Sequence, residues 1–348
     1  MSSATQPTGT PPPVAQPPAA GPRKLIAVIV LVPVIVALAL WAFAWPASRT
    51  APRDLPLGIA GPGSAVSQVE QQLTQRDGAF EIHRYADEAA ARDAIEDRTV
   101  YGAIVVTEQG PKLLTATAAS PLVAQLLQQA ATAGAPEGTQ IPTDDVVAAP
   151  ADDPRGGVLN ASVLPLAIAG VAAGALVTVL GLRGVRAVAG LVGAAALVGI
   201  VAAALAHSWL GALGGDWWTE VAVLALSTLA VSSVVAGLAA LIGQAGIGLG
   251  ALLVVLIGNP FSGVASAPEL LPQPAGVIGQ LLPPGAGGSL LRSVSFFDGA
   301  GATGPAITLG VWVLVGLTLV LIGGARRRPA AVGSDAPPEK APQPAPVG

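Results

Sequence analysis

Five stretches in the second half of the chain contain no Asp, Glu, Lys, Arg or His: Ser162–Leu182, Ala187–Ala206, Val221–Ile242, Ala245–Gly258 and Pro305–Gly323. A bilayer core takes about 20 apolar residues per helix. The fourth stretch is short, and spans only if its turn at Gly243–Gly246 lies within the interface. A further uncharged run, Leu25–Trp45, follows Arg23 and Lys24. It exceeds the roughly 7–15 residues of a signal-peptide apolar region, so it is expected to stay as an uncleaved anchor. Pro33 inside it predicts a kink. A soluble domain carries about 25% charged residues, whereas this chain carries 11% and a mean hydropathy of +0.65. The expected fold class is a polytopic α-helical membrane protein. It has six transmembrane helices and a small extracytoplasmic α/β domain between helices 1 and 2.

Composition removes several chemistries. The chain has no Cys, so disulfides, thiol catalysis and thiolate zinc or iron–sulfur sites are excluded. Two His leave little for imidazole metal sites, and a net charge of −4 gives no basic footprint for nucleic acid. The lysines are Lys24, Lys112 and Lys340, and none follows Gly, so no Walker-type loop is encoded. No catalytic, cofactor-binding or metal-ligating residue is assigned. The apolar runs lack the ionisable residues that ion-coupled carriers place inside the bilayer.

Six spans put both termini on one side. Arg23, Lys24, Arg183, Arg186, Arg326, Arg327, Arg328 and Lys340 fall there, with Asp335 and Glu339 as the only acids. The stretch between the first two spans is long enough to translocate whatever its charge. The short basic flanks therefore set orientation, with both termini cytoplasmic. Trp41, Trp45, Trp209, Trp217 and Trp218 all fall at the opposite, outer interface, the level Trp favours. Arg outnumbers Lys 14 to 3, a bias of high-GC bacteria, so the expected location is a bacterial plasma membrane.

The expected organisation is as follows. Residues 1–22 form a Pro-rich cytoplasmic tail too polar to order, and 25–45 the first helix. Residues 46–135 form the α/β domain and 136–161 a linker. Residues 162–324 hold five helices, and 325–348 a second disordered tail. Within the domain, Leu55–Ala60, Phe80–Tyr85, Val100–Thr107 and Lys112–Thr117 read as strands. Helices are expected over Ser64–Arg76, over Glu88–Asp97 with Asp87 as cap, and from Ser120-Pro121 onward. GPGS at 61–64 reads as a turn, lacking the third glycine of a dinucleotide fingerprint. His83 reads as a surface residue. Gly170 and Gly174 form a GxxxG pair, suited to packing within one bundle or between copies.

The segment 259–304 is too apolar for an exterior loop and too broken by proline for a span. Re-entrant or interface-lying helices packed on protein are expected, with Glu269 and Arg292 as a candidate ion pair.

These features resemble the type-2 ABC transporter permeases, and more closely their phage-infection-protein-like branch. The resemblance rests on LPLGIAG after the first helix, on TVYGAIVV, and on a pattern before the last helix. In that pattern stand Asn259, Pro260, Ser262, Gly263, Pro268, Glu269, Leu270–Pro272, Leu282–Gly285 with Pro283 and Pro284, Leu291, Arg292, Phe296 and Phe297. The resemblance implies an export permease that works as a dimer with a separate cytoplasmic ATPase. Two features differ from well-understood members. A Pro-rich tail replaces their interface helix, and the loop around Arg183–Arg186 is short. The expected function is a non-enzymatic subunit that exports a hydrophobic or amphipathic compound, with segment 259–304 gating the exit. The alternative is an orphan receptor or assembly scaffold whose extracytoplasmic domain binds an envelope or phage partner. The partners expected are lipid, the ATPase and a second copy.

Overall fold

A computed structural model describes residues 22–134 and 141–326. The expectations for the terminal tails, including Arg327, Arg328 and Lys340, fall outside the described residues, apart from the helix-end positions Pro22, Ala325 and Arg326. So does the part of the linker at 135–140.

The first helix, α1, is Pro22–Ala47 and runs through Pro33 as one element. The chain then forms β1 (Leu55–Ala60), α2 (Gly63–Thr74), β2 (Phe80–Tyr85), α3 (Glu88–Glu96), β3 (Gly102–Thr107), β4 (Gly110–Thr115) and α4 (Pro121–Gly134). The bounds of β1 and β2 are those expected from their alternating and apolar patterns. Asp87 caps α3 as its position predicts, its Oδ1 accepting from the Ala90 amide at 2.9 Å. The linker holds one element the sequence reading missed: β5, Thr143–Asp145, which pairs parallel to β4. Three residues among Pro and Asp carry too little β signal to be seen without their partner strand.

The sheet order is β2-β1-β3-β4-β5, with β1 parallel to β2 and β3, and β3 antiparallel to β4. One face of the sheet packs under Ala91, Ala94 and Ile95 of α3. The other packs under Val123 and Leu127 of α4. Neither layer is closed by the domain alone. Phe297 enters the first, and Ala267 and Leu270 enter the second.

Beyond the domain lie α5 (Gly157–Val179), α6 (Val185–Ala203), α7 (Trp217–Ile242), α8 (Gln244–Ala251), the short α9 (Asn259–Phe261), α10 (Ala275–Gln280), α11 (Pro283–Phe296) and α12 (Thr303–Arg326). Six helical stretches are long and apolar enough to cross a bilayer: Ile29–Ala47, Gly157–Val179, Val185–Trp209, Trp217–Ile242, Gln244–Phe261 and Thr303–Ala325. The third reaches Trp209 through a π-helical end, Ala204–Trp209. The fifth runs from α8 through a π-helical stretch, Leu252–Gly258, into α9. That continuation gives the short fifth run its missing length, with Asn259 and Pro260 in its last turn.

Helix α7 is the axis of the bundle, with 67% of its apolar window buried against 11–28% for the other five. Close approach is built from glycine. A Cβ on Gly170 would stand 2.7 Å from the Val231 side chain, and one on Gly174 would stand 2.6 Å from the Ser232 carbonyl. The GxxxG face of α5 is thus used against α7 within the chain. At the end away from the α/β domain, Gly324 lies against the backbone of Gly184. The loop at Arg183 and Gly184, the first turn of α6 with Arg186, and the end of α12 therefore share one level.

The helices are longer than the charge-free runs suggested, and this overturns one expectation. His207 and Glu220 lie within the third and fourth apolar helices. Glu220 is fully buried. Its carboxylate takes a hydrogen bond from Ser295 Oγ at 2.8 Å and from the Gly215 amide at 3.0 Å, and His207 Nδ1 is 2.8 Å from its other oxygen. A buried carboxylate persists only where such partners replace water. Asp216 caps α7 by accepting from the Thr219 amide at 2.8 Å, and that cap starts the helix a turn before Val221.

Candidate functional site

The segment between the fifth and sixth apolar helices joins the α/β domain to the bundle. It begins where α9 ends. Ser262 is buried, and its Oγ donates to the Asn259 carbonyl at 2.7 Å. Gly263 then turns the chain at φ +68°, where a Cβ would come within 2.7 Å of the Pro268 nitrogen, so the position suits glycine alone. Pro268 opens a single 3-10 turn with Glu269 and Leu270. Pro272 is buried beyond it, its carbonyl accepting from the Ala275 amide at 2.8 Å.

That turn is fastened to the domain. The Tyr101 hydroxyl donates to Glu269 Oε2 at 2.9 Å. The Arg53 amide donates to the Glu269 carbonyl at 3.0 Å, and the Ala51 amide to the Leu270 carbonyl at 3.1 Å. Arg53 Nη1 reaches the same Leu270 oxygen at 2.9 Å. Leu270 itself is fully buried among Leu55, Leu57, Leu113, Val123 and Leu127.

The return path is α10 and α11. Pro283 and Pro284 open α11, where a missing N–H costs no hydrogen bond. Gly285 passes close to α10: a Cβ there would lie 2.2 Å from the Gly279 carbonyl. A relay ties the pieces together. Ser289 Oγ donates to Gln280 Oε1 at 2.7 Å, and Gln280 Nε2 donates to the Ser262 carbonyl at 2.6 Å. At the far end of α11, Phe296 packs against both the domain core and the bundle core, and Phe297 is buried in the domain core.

Two arginines meet here. Arg292 on α11 is 7% exposed, and its Nη2 donates to the Val264 carbonyl at 3.0 Å. The expected Glu269–Arg292 ion pair is not formed, because the Glu269 carboxylate is taken by Tyr101. Arg98 comes from the domain, just after α3. Its Nη1 donates to the Ser289 carbonyl at 3.1 Å and to Ser293 Oγ, and its guanidinium lies 5.3 Å over the Phe297 ring. Burial lowers the pKa of both, taking Arg292 down to about 10 with Arg98's charge adding to the effect. Both remain cations at neutral pH. Burial, followed by the charge of Glu269, pushes the Tyr101 hydroxyl well above its ordinary value, so it keeps the proton that it donates to Glu269.

Of the residues singled out from the sequence pattern, Asn259 and Pro260 close the fifth apolar helix, and the others, from Ser262 to Phe297, lie on the connector that follows it. Sequence reasoning missed Arg98, Tyr101, Gln280, Ser289 and the Glu220 cluster. Arg98 carried one local signal, its place just after an amphipathic helix. It adopts φ +59°, a region where non-glycine residues pay a steric cost.

Residues 23–149 match the model of the ABC-2 family transporter proteins. The matched stretch spans α1, the whole sheet and the return toward the bundle. That stretch, about a third of the chain, is what is similar to the family, and the six apolar helices are those of a multi-pass membrane protein. No curated protein and no solved structure matches the chain.

Proposed function

We propose that the chain is the membrane subunit of an exporter that moves a hydrophobic or amphipathic compound out of a bacterial cell. A separate cytoplasmic ATP-binding subunit supplies energy. The observation that carries this reading is the ABC-2 match over α1 and the α/β domain, joined to a bundle in which the domain and the last helices share one connector. These 348 residues hold no Walker loop, which fits ATP binding by a separate subunit. In this reading the α/β domain is extracytoplasmic and both termini are cytoplasmic, as the basic flanks favour. Segment 259–304 gates the outer exit, because any tilt of the domain is transmitted to α11 and α12 through it. The patterned residues of that segment lie outside the matched stretch, and on them we place the chain in the phage-infection-protein-like branch. Two copies would complete the membrane unit.

The test is accumulation of a panel of fluorescent hydrophobic and amphipathic probes in cells lacking the chain. At least one probe is expected to accumulate more than in cells carrying it, with reversal on complementation. Equal accumulation across the panel would count against export of this class.

A further inference from the structure

A cavity of about 470 Å³ lies between the α/β domain and the connector, with Arg98, Tyr101, Glu269, Gln280, Ser289 and Arg292 on its wall. Its polar lining is unbalanced: two guanidinium groups face one carboxylate. The Glu269 carboxylate is held by the Tyr101 hydroxyl at 2.9 Å, and among the described residues no carboxylate lies within ion-pairing distance of Arg292. A guanidinium offers five N–H donors, and among the described residues Arg292 forms a single hydrogen bond, to Val264. The same side chain borders a second cavity of about 360 Å³ beside α4. The carboxylate there, Asp153, is occupied by the Gly157 and Val158 amides at 2.7 and 2.8 Å. A buried cation without an anion destabilises the fold. Arg98 adds a second outlay, since it reaches the cavity from a left-handed backbone position. Such costs concentrate where a ligand repays them.

The rim is of opposite character. Val277 and Leu281 border the cavity and are 56% and 60% exposed. Beside them, Trp312 Nε1 donates to the Leu281 carbonyl at 2.7 Å, which places the rim at the side of the sixth apolar helix. Cationic interior and apolar lip lie within one opening.

We infer that this cavity binds the anionic head group of an amphiphile, a phosphate or carboxylate carried on an apolar chain. Arg292 and Arg98 hold the anion by charge-assisted hydrogen bonds, and the chain lies over Val277 and Leu281 toward the bilayer. As a statement about the exported cargo this rests on the permease reading; as a binding site it does not.

The experiment is native mass spectrometry of the full chain released from a neutral maltoside detergent. The probes are dodecyl phosphate, dodecyltrimethylammonium and inorganic phosphate, with no nucleotide present. One saturable dodecyl phosphate per chain is expected, with dodecyltrimethylammonium bound at least about tenfold more weakly. Arg292→Gln is expected to weaken dodecyl phosphate by about tenfold or more. Because that variant also loses its bond to Val264, Thr99→Glu serves as a second one. Thr99 is exposed on the cavity wall, and a carboxylate there is expected to reduce the preference for the anion while the mass and melting temperature of the folded chain are kept. Equal binding of the two amphiphiles, or an unchanged preference in Thr99→Glu, would overturn the site. Displacement of dodecyl phosphate by an equal concentration of inorganic phosphate would overturn the amphiphile and leave a free-anion site. Specific binding in a chain that shows no export would count against the permease reading and not against the site.

Discussion

Tyr101 and Glu269 are 168 residues apart in the chain and 2.9 Å apart in space, hydroxyl to carboxylate. Tyr101 precedes β3 of the α/β domain, and Glu269 sits in the turn that follows the fifth apolar helix. Their bond is the polar part of a joint whose apolar part is Leu270. A hydrogen bond to a charged group contributes about 1.5–3 kcal/mol. Tyr101→Phe and Glu269→Gln are therefore each expected to lower the melting temperature of the full-length protein in detergent. The double variant should lose less than the sum of the two, since the second change finds the bond already gone. Strictly additive losses would show that the two side chains are not coupled.

Leu270 tests the apolar part. It is fully buried in a layer made, apart from the neighbouring Ala267, of domain residues. Truncation to Ala removes buried methyls and leaves a cavity, at a cost of about 2–5 kcal/mol. The loss should appear as early cleavage by protease within the α/β domain, although the substitution lies 217 residues from Arg53, which binds its carbonyl. Cleavage confined to the connector would mean that the domain closes its core without it.

Glu220 lies at the other joint, between α7 and the end of α11. Glu220→Ala would leave the Ser295 hydroxyl and the Gly215 amide without their acceptor and His207 without its neighbour. Breaking a buried charged cluster from one side costs about 3–5 kcal/mol. Glu220→Gln keeps one acceptor oxygen, and is expected to fall between wild type and Ala in thermal stability. Equal stability of all three would remove the cluster from the list of structural contacts.

The α/β domain should be acid-sensitive through Glu88 and Asp144. Hydrogen bonds from Lys112 and then Arg92 hold Glu88 below the ordinary carboxylate range, and Arg92 first and Lys112 after it do the same for Asp144. Lys112 Nζ is 2.8 Å from Glu88 Oε1 and 3.4 Å from Asp144 Oδ2, so the network ties α3, β4 and β5 together. A depressed carboxylate stabilises the fold above its unfolded value, near 4. That contribution disappears as pH falls through the lower folded value. The side chains are about a third exposed, so the effect should be small, within the roughly 0–1 kcal/mol of solvent-exposed pairs. Glu88→Gln should melt below wild type at pH 7, with the gap narrowing as pH falls below the ordinary carboxylate value near 4. A gap independent of pH would assign the loss to packing instead.

How much of this was legible in the sequence follows from the range of each signal. The apolar runs and the strands β1 and β2 are read from nearest neighbours along the chain, and appear where pattern and length place them. The helix ends were less legible, because hydropathy stops at the first polar residue while a helix can continue through it. Glu220 was excluded for its charge, and the partners that make its burial tolerable include Ser295, 75 residues later. Strand β5 depends on β4 for its existence, and no local pattern announces it. The connector was recognisable as unusual, but its contacts were not. Glu269 and Arg292 looked like a pair because they were the main charges nearby in sequence. In the fold each faces the domain, and Tyr101 and Arg98 supply what local reasoning could not.

The most direct measurement is purification of the tagged full-length chain in mild detergent after cross-linking in cells, with identification of the chains retained and assay of ATP hydrolysis. The account predicts a stoichiometric polypeptide with a Walker loop and hydrolysis that depends on it. A preparation free of any nucleotide-binding chain, with no hydrolysis, would contradict the permease reading.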